Sequence, residues 1–403
     1  MTERSYPVVT VTERCHKRTS FGHPWIYDNE IVSADPAEDG AIVDVVSPKG
    51  RYIGTGFYNS CSKIRVRIIS DNTNDRFDEA FFRRRIDHAY SYRKIVMPEE
   101  DRQACRLIFG EADRFPGLTV DRFNDLLSVQ ILCLGIEQRR DMILGALLDV
   151  LREDGQEING VYLRSDGAIR ALEGMPEEKG WYMRKDGVSP VTRITENGIV
   201  YEVDVENGQK TGFFLDQKYD RRAAASIAEG RTVLDCCTHT GSFALNCAKA
   251  GAKHVTAVDV SDTAIQMAKH NADLNGIDLD LVCTDVFEHL RKLIADHDKR
   301  YDYIILDPPA FTKSRKTVHN AKGGYLELNT LAMRLLPRGG LLATASCSHF
   351  MTPAMFREML IQAAKDAGVG IKLIEERRQS PDHPILLCAD ETEYLKFFIL
   401  QII

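Results

Sequence analysis

The sequence predicts an α/β protein whose C-terminal half folds as a doubly wound, mostly parallel sheet of seven strands. Two observations predict this fold. Residues 232–260 read as strand, small-residue loop, helix and second strand, with Asp235 and Asp259 at the two strand ends. From there to the C-terminus, short β-branched runs alternate with helical patterns, as in parallel sheets with crossover helices. A small β unit and a central α+β unit precede this half.

The composition is that of a water-soluble globular protein of two or three domains. The chain has 403 residues, of which 44% are hydrophobic and 28% charged. No apolar run approaches the roughly 20 residues that span a bilayer, and the N-terminus lacks the apolar segment of a signal peptide. Ten cysteines occur without a C-x-x-C pair. We therefore expect reduced thiols in the cytoplasm and neither a structural zinc nor an iron–sulfur site.

The net charge of −7 excludes a positive field over the whole surface. Binding of nucleic acid would depend on local basic patches. The strand predicted at 63–68 places Lys63, Arg65 and Arg67 on one face, and the helix predicted at 77–94 is rich in arginine. A solvated face is the default interpretation of both, and contact with a phosphate backbone is the alternative.

The first two units are predicted from their strand patterns. Residues 1–72 contain short β-branched runs separated by glycine, proline and asparagine turns, which predicts a small β domain. Residues 73–190 begin with the linker helix at 77–94 and continue with strands around an amphipathic helix at 137–151, which predicts an α+β domain. Neither pattern by itself indicates a chemical function.

Residues 191–218 are predicted to form a hairpin that acts as a lid over a ligand. The Asn-Gly pair at 207–208, between two alternating runs, is the expected turn. The segment that follows contains Phe214, Asp216 and Gln217, an unusual group for pure scaffold, just before a predicted helix. We therefore expect these three side chains to contact the bound ligand.

The doubly wound part continues to residue 403. Asp382-His383-Pro384 lies between its last two strands, so we expect this loop at the edge of the sheet. The predicted strands are 232–234, 253–258, 279–283, 301–306, 340–346, 372–376 and 395–402.

The loop after the first core strand indicates which ligand the sheet binds. It reads D-x-x-x-x-T-G-x-F from Asp235, with Thr240 and the single glycine Gly241. A pyrophosphate requires close backbone approach at several points, as G-x-G-x-x-G loops provide, so NAD and FAD are disfavoured. A small adenosine ligand without phosphates, such as S-adenosylmethionine, fits better, with Asp259 placed to reach a ribose hydroxyl. A plain parallel α/β core is the competing interpretation.

Polar side chains follow five successive core strands, at the edge where ligands bind in open α/β sheets. A single acid after a strand often only caps the next helix, but five polar strand ends are hard to explain as caps alone. We therefore expect one crevice to contain Asp235, Asp259, Asp285, Asp307 and Cys347.

The segment D-P-P-A-F at 307–311 and Cys347 predict the chemistry. The two prolines remove backbone donors, so the Asp307 carboxylate can accept bonds from a base amine, and Phe311 can stack on the base. Cys347 lies among hydroxyls beside a histidine, a setting that can favour the thiolate. A thiolate there could attack C6 of a pyrimidine and activate C5 towards a methyl group. The structural alternatives are that the 307–311 segment only forms a rigid turn after its strand and that Cys347 only fills space in the core.

These motifs resemble those of a known family. The class I S-adenosylmethionine-dependent 23S ribosomal RNA cytosine-5 methyltransferases contain segments similar to DCCTHTGSF, VDVSDTAIQMAKHNADLNG, DPPAF, SCSHF and TGFFLDQK. The N-terminal PUA domain of that family resembles FGHPWIYDNEI and GTGFYNSCSKIRVRI, and its central domain resembles GEADRFPGLTVDRFNDLLSVQ and YLRSDGAIRALEGM. The resemblance covers nearly the whole chain.

The resemblance implies an RNA-binding PUA domain over 1–72, a central domain, and a Rossmann-like methyltransferase domain over 191–403. It implies S-adenosylmethionine as cofactor and large-subunit ribosomal RNA as partner, with no metal and no membrane, and it leaves a homodimer open. Cys347 would be the nucleophile, and Asp307, or a water that it holds, is our candidate for the base. The implied cofactor-binding residues are Phe214, Asp216, Gln217, Asp235, Thr240, Gly241, Asp259, Asp285 and Asp307, and the implied substrate-binding residues are Pro308, Pro309 and Phe311.

The chain departs from the family pattern in two places. The loop at 236–239 is less aromatic and hydrophobic than expected after Asp235, and Lys218 stands where arginine is commoner. In addition, Pro308-Pro309 occupies the region where many such enzymes carry a second cysteine that assists elimination. The base that removes the C5 proton is therefore not identified from the sequence.

Two other functions are open at this stage. An amino or ring-nitrogen RNA methyltransferase, acting for example on guanine, would use the 307–311 segment directly, with Cys347 incidental. A non-catalytic RNA-binding ribosome assembly factor would use only the PUA domain. The intact strand-end residues argue against this second alternative.

Overall fold

The computed structural model describes residues 5–311 and 318–403, so residues 1–4 of the predicted first domain lie outside the described residues. The described chain forms two compact units. No helix in these ranges combines the length and apolarity needed to cross a membrane. The first unit contains the chain up to Ile194 together with Glu202–Leu215 and Pro381–Thr392, and the second contains Thr195–Tyr201, Asp216–Ser380 and Glu393–Ile403.

A six-stranded mixed sheet forms the N-terminal part of the first unit, as the sequence predicts. Its order is β2-β6-β5-β4-β1-β3, with β1 and β4 parallel. Alternating inward residues, such as Val43 and Val66, are fully buried and form its core. The elements are β1 (Val8–Val11), α1 (Glu13–Ser20), β2 (Trp25–Tyr27), β3 (Ile31–Ala34), β4 (Ile42–Val46), β5 (Tyr52–Tyr58) and β6 (Ile64–Ser70).

The basic residues of β6 do not form one solvent-facing edge. Arg67 lies 3.2 Å from a carboxylate oxygen of Glu111 and 2.9 Å from one of Glu173, and its guanidinium lies over the Trp25 ring. Its side chain is only 11% exposed. The alternative of a phosphate-contacting edge is therefore wrong at Arg67, because two carboxylates already use its donors.

A five-stranded sheet with order β11-β10-β9-β8-β7 forms the central part of the first unit. Helices α2 and α4 pack against each other beside it, which gives the predicted α+β arrangement. The elements are α2 (Glu79–Val96), β7 (Ala104–Phe109), β8 (Leu118–Phe123), β9 (Leu126–Ile131), α3 (Leu134–Glu137), α4 (Arg140–Glu153), β10 (Gly160–Ser165) and β11 (Glu178–Arg184).

The arginines of α2 pair with acidic residues of the first unit. Arg93 is fully buried, forms a 2.7 Å ion pair with Asp113, and donates to the backbone carbonyl of Ala89. Arg84 lies 3.0 Å from Asp75. Since carboxylates of the protein satisfy these cations, the arginine pattern of this helix is explained by intramolecular pairing and not by a phosphate-binding stripe.

The hairpin predicted for 191–218 is shorter than expected and turns elsewhere. Its Asn-Gly turn is at 197–198, where φ is 52° for the asparagine and 75° for the glycine, as a type I′ turn requires. At 207–208 the chain instead folds back on Asp204, whose carboxylate accepts two backbone N–H groups, and the described residues 205–214 contain no strand. The prediction was wrong because both Asn-Gly pairs carry the same signal. The two strands are β12 (Val191–Glu196) and β13 (Ile199–Asp204).

The second unit contains the predicted seven-stranded doubly wound sheet. Its order is β16-β15-β14-β17-β18-β20-β19. The first five strands in this order are parallel, and β20 runs antiparallel to both of its neighbours. The elements are α5 (Lys218–Ala225), β14 (Thr232–Cys236), α6 (Ser242–Lys249), β15 (His254–Asp259), α7 (Asp262–Asn275), β16 (Asp280–Cys283), α8 (Val286–Ala295), β17 (Tyr303–Leu306), α9 (Val318–Leu335), β18 (Leu341–Ser346), α10 (Pro353–Ala367), β19 (Ile371–Arg377) and β20 (Lys396–Ile402).

Helices cover both faces of this sheet, so its central strands are mostly apolar. One core lies between the sheet and α8, α9 and α10, with Leu290, Leu328 and Phe356 fully buried. The other lies between the sheet and α5 and α6, with Ala224 and Phe243 buried. With both faces occupied, the carboxyl edge of the strands is the place left for a ligand.

The segment between β19 and β20 does not lie where the sequence predicts. Residues 381–392 belong to the first unit and not to the edge of the C-terminal sheet. The Asp382 carboxylate accepts the backbone N–H of Arg106 at 2.8 Å, and the His383 ring lies 5.4 Å from that of Phe109. A polar segment between two strands looks like an edge loop in sequence, and only these long-range hydrogen bonds assign it to the other unit.

Candidate active site

The carboxyl edge of the second unit's sheet carries the predicted strand-end residues. The strands β16, β15, β14, β17 and β18 lie next to one another in this order, and each is parallel to its neighbours. Parallel neighbours end at the same edge, so these residues share it. They are Asp235 near the end of β14, Asp259 at the end of β15, Asp285 after β16, Asp307 after β17 and Cys347 after β18.

Asp235 organises the loop after β14 from inside the protein. Its side chain is fully buried, and its Oδ2 accepts the Thr238 hydroxyl at 2.5 Å and the backbone N–H of Ala244 at 3.0 Å. Burial raises the pKa of this carboxyl to about 7, although the bond from Thr238 opposes the shift. Its Oδ1 is buried and accepts no hydrogen bond within the described ranges. The residue therefore shapes the loop and presents no exposed oxygen to a ligand.

The loop backbone adopts conformations that most residues avoid. Cys237 and His239 have φ of 62° and 50°, in the left-handed region, and Gly241 follows with φ of 78°. A Cβ on Gly241 would lie 3.1 Å from the Cβ of Ala268, so a larger residue would push the loop away from α7. The Thr240 carbonyl is fixed by the side-chain amide of Asn271 at 3.1 Å. The loop is thus held in one shape before any ligand binds.

Asp259 remains half-exposed at the end of β15. Its two oxygens accept the backbone N–H groups of His239 and Ser261, each at 2.9 Å. A carboxylate oxygen can accept more than one hydrogen bond, so this side chain can also accept from ribose hydroxyls. Asp285 is exposed and caps α8, because its Oδ1 accepts the backbone N–H of Glu288 at 3.0 Å.

The carboxylates at this edge create a strongly negative environment. Burial raises the pKa of the Cys237 thiol, and the nearby carboxylates raise it further, in the order Asp307, Asp259, Asp235 and Asp285. A pyrophosphate would be repelled by these charges, whereas a ligand with a sulfonium and an ammonium group would be attracted. The residues present therefore fit S-adenosylmethionine, with Asp259 for its ribose and the loop from Asp235 to Gly241 around it.

Two residues of the predicted lid contact this edge within the second unit. The side-chain amide of Gln217 donates to both oxygens of Asp307, at 3.1 and 2.9 Å. One oxygen of Asp216 accepts the Tyr394 hydroxyl at 2.6 Å. The third, Phe214, belongs to the first unit, where the Lys210 ammonium lies 4.4 Å from its ring centre. The contact with a ligand that the sequence predicts for Phe214 stays a prediction.

The D-P-P-A-F segment is only partly open. Pro308 is buried, Pro309 is exposed, and Asp307 is half-exposed. The Phe311 ring is half-buried and packs against Tyr325 with ring centres 4.7 Å apart. Its stacking on a base stays a prediction, since in this structure it adds to the core beside α9.

Cys347 is half-exposed, in contrast to Cys236 and Cys247 of the same sheet and its helices, which are fully buried. The next residue, Ser348, is buried and its hydroxyl lies 2.9 Å from that of Tyr325. This contact holds the turn after β18, where Cys347 as a residue remains partly exposed.

Four residues that shape this edge were not predicted from the sequence: Thr238, Tyr325, Tyr394 and Lys396. Thr238 bonds Asp235 and Tyr394 bonds Asp216, so both act on residues that the motifs did reveal. Only Lys396 had a visible signal, because a lysine that opens the apolar run K-F-F-I-L is unusual in a strand with both faces covered.

Comparisons with known proteins agree with this geometry. The profile of the S-adenosylmethionine-dependent methyltransferases matches residues 174–398, more than half of the chain, and a PUA-like domain profile matches residues 9–71. A Klebsiella pneumoniae protein named ribosomal RNA large subunit methyltransferase I is 35% identical over the full length of both chains. The Aeromonas hydrophila protein of the same name is 38% identical and covers 94% of this chain and 95% of its own.

Solved structures show the same fold. A candidate S-adenosylmethionine-dependent methyltransferase from Streptococcus mutans superposes with a TM-score of 0.82 at 22% identity, over 98% of this chain and 99% of its own. A candidate methyltransferase solved with SAH gives 0.83 at 23% identity with the same coverage. Together with the profile match and the full-length relatives, the fold and the site show that this chain belongs to the S-adenosylmethionine-dependent methyltransferase family and is an enzyme that uses S-adenosylmethionine.

Proposed function

We propose that this enzyme methylates C5 of a cytosine in large-subunit ribosomal RNA, with Cys347 as a covalent nucleophile. The observation that carries the proposal is the half-exposed Cys347 after β18, beside the strand β17 that is followed by Asp307. C5 of cytosine is a weak nucleophile until a group adds to C6, and a thiol at this edge can be that group. The RNA is inferred from the names of the full-length relatives and from the PUA-like domain.

The reaction requires addition of Cys347 to the base, transfer of the methyl group from the cofactor, and removal of a proton with release of Cys347. The Cys347 thiolate forms a bond to C6, and the electron pair of the C5–C6 double bond moves towards C5. When bound, S-adenosylmethionine would supply the electrophilic methyl group to C5, and S-adenosylhomocysteine would leave with the electron pair of the broken S–CH3 bond. A base then removes the C5 proton, the electron pair re-forms the double bond, and the C6–S bond breaks to release Cys347 as thiolate.

Asp307 is the proposed base, acting directly or through a water. Its two oxygens accept the Gln217 amide, which orients the carboxylate at the end of β17. The half-exposed position leaves room for a substrate or a water. The proposed roles of Asp216, Asp235, Thr240, Gly241, Asp259 and Asp285 are to build the cofactor site, and those of Pro308, Pro309 and Phe311 are to shape the base pocket.

The rival reaction, methylation of an exocyclic amine or a ring nitrogen, needs free acceptors on the 307–311 segment. The Asp307 carboxylate, although it accepts from Gln217, keeps further lone pairs for such a bond, so what favours the cytosine-5 reaction is the half-exposed Cys347 beside β17, which this rival leaves without a role. Membership in a methyltransferase family disfavours the other rival, a non-catalytic assembly factor.

The test is the identity of the product. Large-subunit RNA lacking its methyl groups is incubated with the enzyme and isotopically labelled S-adenosylmethionine, then digested to nucleosides for mass spectrometry. We expect the label in 5-methylcytidine. Label in a guanine derivative or in an N4-methylated cytidine would refute the proposal, as would absence of transfer by an enzyme that binds the cofactor.

A further inference from the structure

Lys396, at the start of β20, is a buried lysine that the proposed reaction does not yet use. Its side chain is nearly inaccessible, with 1% of the residue exposed. Its ammonium donates to the carbonyls of Ser348 and Tyr394, each at 2.7 Å. Lysine is almost never buried in this way unless it is paired with an anion, so the position calls for an explanation.

The strand register and a hydrogen bond bring this ammonium to the turn that carries the thiol. β20 runs antiparallel to β18, and Lys396 stands opposite Ser346 at the last rung of the ladder. The lysine side chain reaches past the end of β18 to the carbonyl of Ser348. Cys347 lies between these two anchoring residues and is half-exposed. The cation is therefore bound to the turn that carries Cys347 and is itself shielded from solvent.

The groups around Lys396 leave the Cys347 thiol as the anion that this lysine can face, whereas the Asp307 carboxylate at the neighbouring strand end opposes a thiolate there. The charged or titratable groups around Lys396 are Cys347, Glu393 and Arg378. Glu393 pairs with Arg378, and no carboxylate in the described part of the chain forms an ion pair with the lysine. The Tyr325 hydroxyl lies 2.9 Å from that of Ser348 in this turn. Burial raises the pKa of Tyr325 to about 12, so this side chain stays neutral.

The charge of Lys396 is present at physiological pH. Burial lowers the pKa of its ammonium to about 8, and the nearby Cys347 opposes part of that shift. Below about pH 8 the lysine is therefore positive and can stabilise a neighbouring thiolate. Above that pH it loses its proton and the stabilisation.

We propose that Lys396 is a positioning residue whose buried ammonium holds Cys347 as a reactive thiolate. The inference deepens the proposed cytosine-5 function and rests on it for its meaning in catalysis. The thiol proton passes to solvent, and the lysine keeps its own proton. A lysine serves here in place of the histidine that activates many catalytic cysteines.

The experiment measures the rate of iodoacetamide alkylation at Cys347 between pH 5.5 and 9.5, resolved by peptide mass spectrometry. In the wild type we expect the Cys347 profile to have a lower midpoint than the exposed Cys61 and Cys283 of the same molecules. In Lys396→Met the midpoint should rise by about one unit, with alkylation at pH 7 about tenfold slower. Lys396→Arg, which keeps the charge, should restore the rate to within about threefold.

The matched control is Lys372→Met, an exposed lysine on β19 whose loss should leave the profile unchanged. Retained binding of S-adenosylmethionine verifies that each variant is folded. A wild-type midpoint no lower than that of Cys283 overturns the inference without any variant. An unchanged profile in folded Lys396→Met also overturns it, as does a shift caused by His349→Gln and not by Lys396→Met.

Failure of the inference is distinguishable from failure of the proposed function. If Cys347→Ala still methylates C5 while Lys396→Met shifts the alkylation profile, the covalent mechanism is wrong and the Lys396–Cys347 pair stands. If Cys347→Ala abolishes methylation while Lys396→Met changes neither the profile nor the pH dependence of kcat, the role of Lys396 is wrong and the proposed function stands.

Discussion

Two regions at the carboxyl edge of the sheet differ in how far their polar side chains are buried and hydrogen-bonded within the protein. The loop after β14 is closed: Asp235 is fully buried, and Thr238 and a backbone N–H bond one of its oxygens. The ends of β17 and β18 are open, with Asp307 and Cys347 half-exposed. The difference is what the proposed function requires, in which the first region holds the cofactor by its shape and the second offers the groups that react.

Loss of the nucleophile should give the largest effect. Cys347→Ala removes the group that adds to C6, so methyl transfer should fall by about 10³-fold or more while cofactor affinity changes little. Single-turnover transfer of labelled methyl groups measures the rate of methyl transfer, and calorimetry with S-adenosylmethionine measures the cofactor affinity. Cys283→Ala, at the end of a strand remote from β18 in the sheet order, should retain activity. Substantial activity in Cys347→Ala would mean that the open region does not act through the thiol.

Asp235→Asn should change stability with pH and so probe the closed region. The folded protein holds the Asp235 proton up to about pH 7, whereas the unfolded chain releases it near pH 3.8. Stability linked to this proton is thus fully present below pH 3.8 and is lost as pH rises through about 7, where a charge becomes buried. Asparagine keeps an acceptor for Thr238 and Ala244 but does not titrate.

Relative to Asp235→Asn, the wild type should therefore lose about 2–4 kcal/mol of unfolding free energy between pH 4 and pH 8. Hydrogen exchange of the β14 amides at several pH values reports the stability of this sheet without requiring both units to unfold together. Asp296→Asn, an exposed acid after α8, is the control and should track the wild type. Parallel pH curves for Asp235→Asn and the wild type would show that Asp235 is not held protonated.

Asp259→Asn should give the smallest of the three effects and separates hydrogen bonding from charge. If Asp259 accepts ribose hydroxyls, its replacement should weaken binding of S-adenosylmethionine and of its demethylated product alike, by about tenfold. Both ligands contain the ribose, but only the first carries the sulfonium charge. Calorimetry with the two ligands decides the point, since a loss confined to S-adenosylmethionine would assign Asp259 an electrostatic role instead.

The parts predicted well from sequence are those fixed by local patterns. The seven strands of the catalytic sheet and the helix from Asp262 to Asn275 follow from β-branched runs, from the Ser261 cap and from Gly276. In the first domain the strands predicted at 8–11, 41–46, 52–56 and 63–69 are present, whereas the short strands β2 and β3 were missed because they are stabilised by pairing with β6 and β1. The hairpin turn was misplaced because two Asn-Gly pairs compete and only the backbone distinguishes them.

The site was predictable in its residue types but not in its bonds. Strand ends revealed Asp235 and Asp307 alike, yet the first is sealed inside its loop and the second is bonded to Gln217. The pairing of Arg67 with Glu111 and Glu173 joins residues far apart in the chain, so no local pattern could predict it. The same holds for Lys396 and the turn at Ser348.

The central claim is a bond between Cys347 and a cytosine. RNA containing 5-fluorocytosine blocks removal of the C5 substituent, so the adduct should accumulate after methyl transfer. Incubation with the enzyme and S-adenosylmethionine should give a denaturant-stable complex, and peptide mass spectrometry should locate the nucleotide on Cys347. No complex with RNA that is methylated in its unfluorinated form, or a nucleotide on another residue, would contradict the account.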